Sequence, residues 1–211
     1  MTLKLHCFGE SGNAYKAALP LELAGLDWTA EYVDFFNGAH RSPEFLALNP
    51  MGEVPVFIDG DLILSQSGAI QDWITAKTGK FGGTTEAETR EILRWQFWDN
   101  HKGSSQFGPT RFYLNFLPEA KRSPDVAAYL SGRVKAALKV LNDVLSTQDF
   151  LVGGRLTMAD LSCCAYLYYP EPFGYDAETY PAIAAWLERI SQTPGWKHPY
   201  DLMPGSPADR A

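Results

Sequence analysis

Cysteine is scarce in this chain: three in 211 residues, with Cys163 and Cys164 adjacent and Cys7 near the start. The set offers neither a disulfide framework nor a CxxC redox pair, and it suits a reducing cytoplasm. Histidine is as thin, at four scattered positions (6, 40, 101 and 198) without HxH or HExxH spacing, which argues against a metal site. Positive charge is in deficit, with 18 Lys and Arg against 25 Asp and Glu, a formal net charge of -7 and a pI near 5.1. Such a surface repels a nucleic-acid backbone or an anionic bilayer, so neither is expected as a partner. No apolar run approaches the roughly eighteen residues of a membrane-spanning helix. The polar stretch Gly9-Glu10-Ser11-Gly12 follows the start too soon for the apolar region of a signal peptide.

What is present is a globular composition, 45% hydrophobic, 20% charged and 13% aromatic, long enough for one generous domain or two compact ones. Leu3, Leu5 and Cys7 alternate with Lys4, His6 and Phe8, which predicts a strand over 3–8. After a turn, Ala14, Ala17, Ala18, Leu21 and Ala24 form a helical stripe that stops at Gly25, with Pro20 expected to kink or bound it. Residues 28–35 suggest a second strand. Val54 to Ile58, the turn Asp59-Gly60-Asp61 and Leu62 to Leu64 read as a hairpin. Ser67 then stands where a cap belongs, ahead of a helix carrying Ile70, Trp73 and Ile74 and ending at Gly79.

The period changes beyond a Gly- and Thr-rich linker at 79–85. Ile92, Leu93, Gln96 and Phe97, then Leu130, Val134, Leu138, Leu141 and Leu145, fall at spacings of three and four. Further helices are expected at 159–169 and 182–193. The predicted organisation is α/β plus all-α: a small α/β domain over 1–78, a linker over 79–85, an all-helical domain over 86–200 and an irregular tail over 201–211.

Two constellations carry chemistry. Ser11-Gly12-Asn13 sits at a strand-to-helix junction, where free N–H groups and the positive end of the helix dipole favour an anion. A serine hydroxyl or an asparagine amide there can donate to a thiolate or oxyanion, or either can simply cap the helix. The second runs Asn49-Pro50-Met51-Gly52-Glu53-Val54-Pro55, then through the hairpin to Gln66-Ser67-Gly68-Ala69-Ile70. A proline at the mouth of an apolar strand is explained by a cis Val54–Pro55 bond, which would offer the Val54 main chain to a peptide-like ligand, or by an edge strand. Gln66 and Ser67 are placed to hold a carboxylate at a helix N-terminus.

Together, Ser-Gly-Asn-x-Tyr-Lys, Asn-Pro-x-Gly-x-Val-Pro, Gln-Ser-x-Ala-Ile, the Gly-rich linker and the helical second part resemble the cytosolic glutathione transferases of the bacterial serine or asparagine type. The resemblance spans essentially the whole chain. It includes Gly153-Gly154-Arg155-Leu156-Thr157-Met158-Ala159-Asp160, similar to the family's structural capping box, with Thr157 as cap and Asp160 reaching back. The resemblance implies a thioredoxin-like N-terminal domain that binds glutathione, and a helical-bundle C-terminal domain supplying most of the wall for a small hydrophobic electrophile. It also implies a cytoplasmic, detoxifying homodimer with glutathione as co-substrate and no permanently bound cofactor or metal.

By the same resemblance Ser11 is the group that hydrogen-bonds the glutathione sulfur, with Asn13 as assistant or rival. Val54, beside Pro55, binds the cysteinyl main chain, and Gln66 and Ser67 bind the γ-glutamyl end. His40 is a candidate for the glycyl carboxylate, although a lone exposed histidine is commonly uninvolved. Asp99 is a candidate for the glutathione amine of a partner subunit, with a solvated face or dimer contact as the plainer alternative. Phe8, Phe36, Trp98, Ser105, Phe112 and Tyr166 are candidates for the electrophile pocket. No cysteine occupies position 11, which disfavours chemistry through an enzyme thiol, and Cys7 is expected in the core. A disulfide reductase or peroxidase using glutathione thiols, and a non-catalytic binding or regulatory protein, remain as alternatives.

Overall fold

The computed structural model describes residues 2–207. The chain divides into two compact units, one of Met1–Lys80 with Thr193–Ala211, the other of Phe81–Gln192.

In the first unit, β1 (Leu3–Cys7) buries Leu3, Leu5 and Cys7 on one face, as its alternation predicts. It is central in a four-stranded sheet. β2 (Trp28–Tyr32) pairs with it in parallel, Leu3 opposite Trp28, and β3 (Val56–Asp59) pairs antiparallel, Leu5 opposite Phe57. β4 (Leu62–Ser65) completes the hairpin, giving the order β2-β1-β3-β4, a thioredoxin-like mixed sheet. The crossover from β1 to β2 is α1 (Gly12–Ala24), whose small residues Ala14, Ala17 and Ala18 are fully buried and admit a close approach of α3 (Ser67–Thr78).

Pro20 neither ends nor bounds α1, which runs on to Ala24 and closes on Gly25 at φ +73. Proline removes the donor that would meet the carbonyl four residues back, that of Lys16. Gln71, fully buried on α3, supplies the missing donor, its Nε2 lying 3.0 Å from the Lys16 oxygen. A short α2 (Pro43–Leu48), capped by the Ser42 hydroxyl, fills the connection between β2 and β3.

The second unit is helical. α4 (Glu86–Trp98) passes through a π-helical stretch, Asp99–Gly103, into α5 (Ser104–Asn115). α6 (Pro124–Leu145) buries Val134, Ala137, Leu138, Leu141 and Leu145 and packs against α5. α7 (Met158–Cys163) opens on the expected box, with Asp160 Oδ2 accepting from the Thr157 N–H and hydroxyl, both at 2.9 Å. The helix expected to reach 169 stops at Cys163 and continues as a 3-10 turn over Ala165–Tyr168. α8 (Pro181–Ser191) sets Ile183, Trp186, Leu187 and Ile190 inward, and Trp186 Nε1 donates to Asp160 Oδ1 at 3.0 Å.

The break at residue 80 lies beside the Gly-rich linker, but the second break falls after Gln192 rather than at 200. The chain that follows belongs to the first unit and is not irregular throughout. α9 (Pro199–Leu202) packs on α1, Tyr15 donates its hydroxyl to the Lys197 carbonyl at 2.7 Å, and Met203 is 2% exposed. Residues 208–211 of the expected tail lie outside the described residues. Among the described residues no helix is long and apolar enough to cross a membrane.

Candidate functional site

The junction of β1 and α1 places Ser11 at the helix N-cap with extended backbone, φ -84 and ψ 101. Its Oγ accepts the Ala14 N–H at 3.1 Å, and its own N–H donates to the Phe8 carbonyl at 3.0 Å. The bland capping role is therefore real. It also has a chemical consequence: with the oxygen fixed by an accepted bond, the hydroxyl proton remains to be donated, at the positive end of α1. Asn13, half-buried in the first turn, stands on the same helix end.

The second constellation surrounds the start of α3. Val54–Pro55 is cis, and Pro55 is buried at the entrance to β3. The loop before it is tied by Asn49, whose Nδ2 donates to the Glu53 carbonyl at 2.8 Å while its Oδ1 accepts the Met51 N–H at 3.1 Å. Neither the Val54 N–H nor its C=O pairs with another described residue. Ser67 is not the cap of α3: Gln66 is, and Ser67 is the first helical residue, 7% exposed. The reason is the backbone of Gln66, which adopts φ +69 and ψ 117 and whose carbonyl takes the Ala69 and Ile70 N–H groups. A non-glycine residue at positive φ costs about 1–3 kcal/mol and is concentrated at functional sites. It leaves the Ser67 and Gly68 N–H groups and the Ser67 hydroxyl together at the positive end of α3, an arrangement of donors that can pair with an anion. The exposed Gln66 amide reaches toward Glu53, its Nε2 lying 3.4 Å from Oε2.

His40 is not exposed, as a lone surface histidine would be; it is 7% exposed and stacks on Phe35 at 4.1 Å and 18°. Arg41 Nε donates to its Nε2 at 3.2 Å. Burial, with the neighbouring Arg41 charge, holds its pKa below the ordinary value, so the neutral ring is favoured near pH 7. Phe35 also stacks on Phe8 at 4.8 Å and meets Phe36 edge-on at 5.8 Å. The structure thus joins Phe8 and Phe36 to His40 through a ring the sequence reasoning missed. The signal was available in the paired aromatics of Asp34-Phe35-Phe36-Asn37-Gly38, a polar loop that has no need of them.

In the second unit the remaining candidates fall into separate contacts. Trp98 meets Trp95 edge-on at 5.2 Å, and Phe112, 41% exposed, lies beside Phe116 at 6.2 Å. Tyr166 is buried near Tyr169 and abuts Gly108. Ser105 is exposed, its hydroxyl donating to the His101 carbonyl at 2.6 Å and accepting from Gln106 Nε2 at 2.9 Å.

Asp99 requires a correction. It has no exposed surface, and its carboxylate accepts from the Ser104 N–H at 3.2 Å, the Ser104 hydroxyl at 2.7 Å and the Ser162 hydroxyl at 2.7 Å. It pins the π-helical stretch to α5 and α7 and has no face left for a ligand ammonium.

Cys7, Cys163 and Cys164 lie in the interior and form no disulfide. Burial, helped by the charge of Glu31, pushes the Cys7 thiol up to about 12. No group of three or more His, Cys, Asp or Glu placed to hold a metal ion occurs among the described residues.

Comparison with known proteins identifies the matching families. The family model of the glutathione S-transferase N-terminal domain matches residues 1–76, and that of the C-terminal domain matches residues 107–194. Glutathione S-transferase 3 of Zea mays is 31% identical, covering 97% of this chain and 96% of its own. The disulfide-bond oxidoreductase YfcG of Escherichia coli is 28% identical, covering 89% of each chain. A crystal structure of a glutathione S-transferase from Pseudomonas fluorescens superposes with a TM-score of 0.88 at 30% identity, over 95% of this chain and 100% of its own.

Proposed function

Since this chain belongs to the glutathione S-transferase family and is a transferase, we propose that it binds reduced glutathione, stabilises its thiolate through Ser11 and conjugates it to a hydrophobic electrophile. The observation that carries this reading is the Ser11 hydroxyl, whose oxygen is held by the Ala14 N–H and whose proton is left to donate at the N-terminus of α1. Asn13 is its assistant. The Val54 main chain pairs with the cysteinyl main chain of the tripeptide, and Ser67 with the N–H groups at the start of α3 receives the γ-glutamyl carboxylate.

A free thiol with a pKa near ~8.5 is only about 3% thiolate at pH 7, and lowering it by ~2 units raises that to about 75%. The shift corresponds to ~2.7 kcal/mol, the scale of one charge-assisted hydrogen bond plus a helix N-terminus. The thiol proton passes to solvent, the sulfur lone pair forms the new C–S bond, and the electrophile's leaving group departs with its electron pair. Phe8 and Phe36, packed around Phe35 next to the Ser11 loop, give an apolar acceptor a surface to lie on.

A homodimer fits the solvent-facing apolar residues Leu93 and Phe97 on α4, one turn apart, and Met51 in the loop before β3, the last two 64% and 59% exposed. Three buried cysteines outside any disulfide fit a reducing cytoplasm.

A second reading is favoured by the similarity to the disulfide-bond oxidoreductase YfcG. With serine at position 11, both electrons would come from two glutathione thiols, giving glutathione disulfide and two product thiols per disulfide reduced. Turnover assays with a chloronitrobenzene, hydroxyethyl disulfide and a peroxide, beside calorimetry with glutathione, test both. Conjugation to the chloroaromatic supports the leading reading. Disulfide turnover alone moves the function to the second, and no glutathione binding at millimolar concentration overturns both.

A further inference from the structure

The loop that delivers Ser11 is held from outside by a segment some 190 residues later in sequence. The Gly9 N–H, two residues before Ser11, donates to the Pro204 carbonyl at 2.6 Å. A methyl group built on Gly9 would stand 3.2 Å from Ser206 N and 3.3 Å from the Gly205 carbonyl carbon and oxygen, so the returning backbone lies directly on the loop and would have to give by a few tenths of an ångström to admit a side chain there. Gly205 itself adopts φ +79, and a side chain on it would drive into the Tyr32 ring. Met203, 2% exposed, anchors the segment, and upstream the Lys197 carbonyl accepts the hydroxyl of Tyr15 on α1. Every one of these contacts lies within the first unit.

We propose that Pro204 and Gly205 are positioning residues for Ser11: the segment 203–206 clamps the β1–α1 turn and so fixes the direction in which the Ser11 hydroxyl donates. Between β1 and the first turn of α1 the loop comprises only Phe8 to Ser11. The Ser11 N–H bond to the Phe8 carbonyl and the Tyr15 N–H bond to the Ser11 carbonyl are local to the turn and its helix and move with them. The Gly9 bond to Pro204 ties the turn to a body outside it. A donor displaced by even a fraction of an ångström loses much of its stabilisation of a developing anion, because charge-assisted bonds depend steeply on length and angle. The inference rests on the reading of Ser11 as thiolate donor.

The test is the pH profile of kcat/KM for glutathione in Gly9→Ala and Pro204→Gly, the first crowding the segment by a few tenths of an ångström, the second loosening it without adding an atom. Both variants are expected to move the acid limb upward by about one pH unit, which takes the thiolate at pH 7 from about 75% to about 25% and lowers kcat/KM there about threefold. Affinity for S-methylglutathione, whose sulfur does not ionise, stays at the wild-type value. In a Ser11→Ala background neither substitution has a further effect, which a general loss of structure would not reproduce. An unmoved acid limb in Pro204→Gly with wild-type thermal stability overturns the proposal, as does an equal loss in the Ser11→Ala background. Wild-type protein that binds no glutathione overturns the Ser11 reading itself, a result distinct from active wild type with indifferent variants.

Discussion

The Gln71 side-chain amide donates to the Lys16 carbonyl at 3.0 Å, the same carbonyl that Pro20 deprives of its helical donor. A proline inside α1 and a glutamine inside α3 are therefore one device. Gln71→Leu keeps the volume and removes the donor, leaving a buried carbonyl without it at a cost of about 1–3 kcal/mol. The thermal midpoint should fall by roughly 2–4 °C for each kcal/mol in a chain of this length. Restoring a main-chain donor with Pro20→Ala in the same protein should recover part of the loss, a coupling that a double-mutant cycle in urea measures directly.

This pairing also marks where sequence reasoning stops. The elements around the site were legible because local signals agree: alternation in Leu3–Cys7, a small-residue stripe ended by Gly25, a turn at Asp59-Gly60-Asp61, and serine where α1 begins. Pro20 reads as a kink or a boundary, and the helix runs through it because the remedy, Gln71, lies 55 residues away on another helix. Ser67 was read as a cap because residue type favours it, whereas the positive φ of Gln66 moves the helix start by one residue. Asp99 sits in the polar string Asp99-Asn100-His101-Lys102 and reads as solvated, yet Ser162, 63 residues on, draws it into the interior. A proline-rich end reads as irregular because nothing local says that Pro204 meets Gly9. For Pro20, Asp99 and Pro204 the deciding partner is remote in sequence, whereas for Ser67 it is the backbone conformation of its neighbour.

Ser11→Ala removes the one donor whose oxygen the fold has already fixed. Turnover with a chloroaromatic acceptor should fall by about one to two orders of magnitude, with the acid limb of its pH profile moving up toward the pKa of free glutathione. Asn13→Ala should produce a smaller loss. If Ser11→Ala retains conjugation while Asn13→Ala abolishes it, the two residues exchange roles.

Asp99→Ala separates structure from ligand binding. Three donors from Ser104 and Ser162 lose their acceptor in a fully buried place, which should destabilise the protein by about 3 kcal/mol or more. The KM for glutathione of the folded enzyme at low temperature should be that of the wild type. A selective rise in KM with an unchanged unfolding midpoint would return Asp99 to the ligand.

All three thiols are buried, which shields them from a reagent in solution, and the Cys7 thiol is in addition pushed up to about 12 by burial. Brief treatment with iodoacetamide, followed by mass spectrometry, should leave the native chain unmodified and label three sites after unfolding in urea. Conjugating activity should survive the native treatment, since the reactive sulfur belongs to the co-substrate.

Glu88 is expected to make the helical unit sensitive to acid. Its carboxylate accepts from Arg155 Nη2 at 2.8 Å and from the Thr84 N–H and hydroxyl, each at 2.8 Å. Arg155 in turn donates to the Gly82 carbonyl at 3.0 Å, tying the linker to the loop before α7. These donors, Arg155 foremost, hold the Glu88 pKa down from 4.5 to about 2. A carboxylate with a lowered folded pKa binds fewer protons in the native chain than in the unfolded one. Its contribution to stability is therefore complete above pH 4.5 and drains away as the pH falls toward about 2. Both partners are partly exposed, so salt should weaken the effect. Urea midpoints measured against pH should show Glu88→Gln less stable than wild type near neutrality and converging with it in that acid window. Parallel curves across the window would mean that the ion pair is too well solvated to matter.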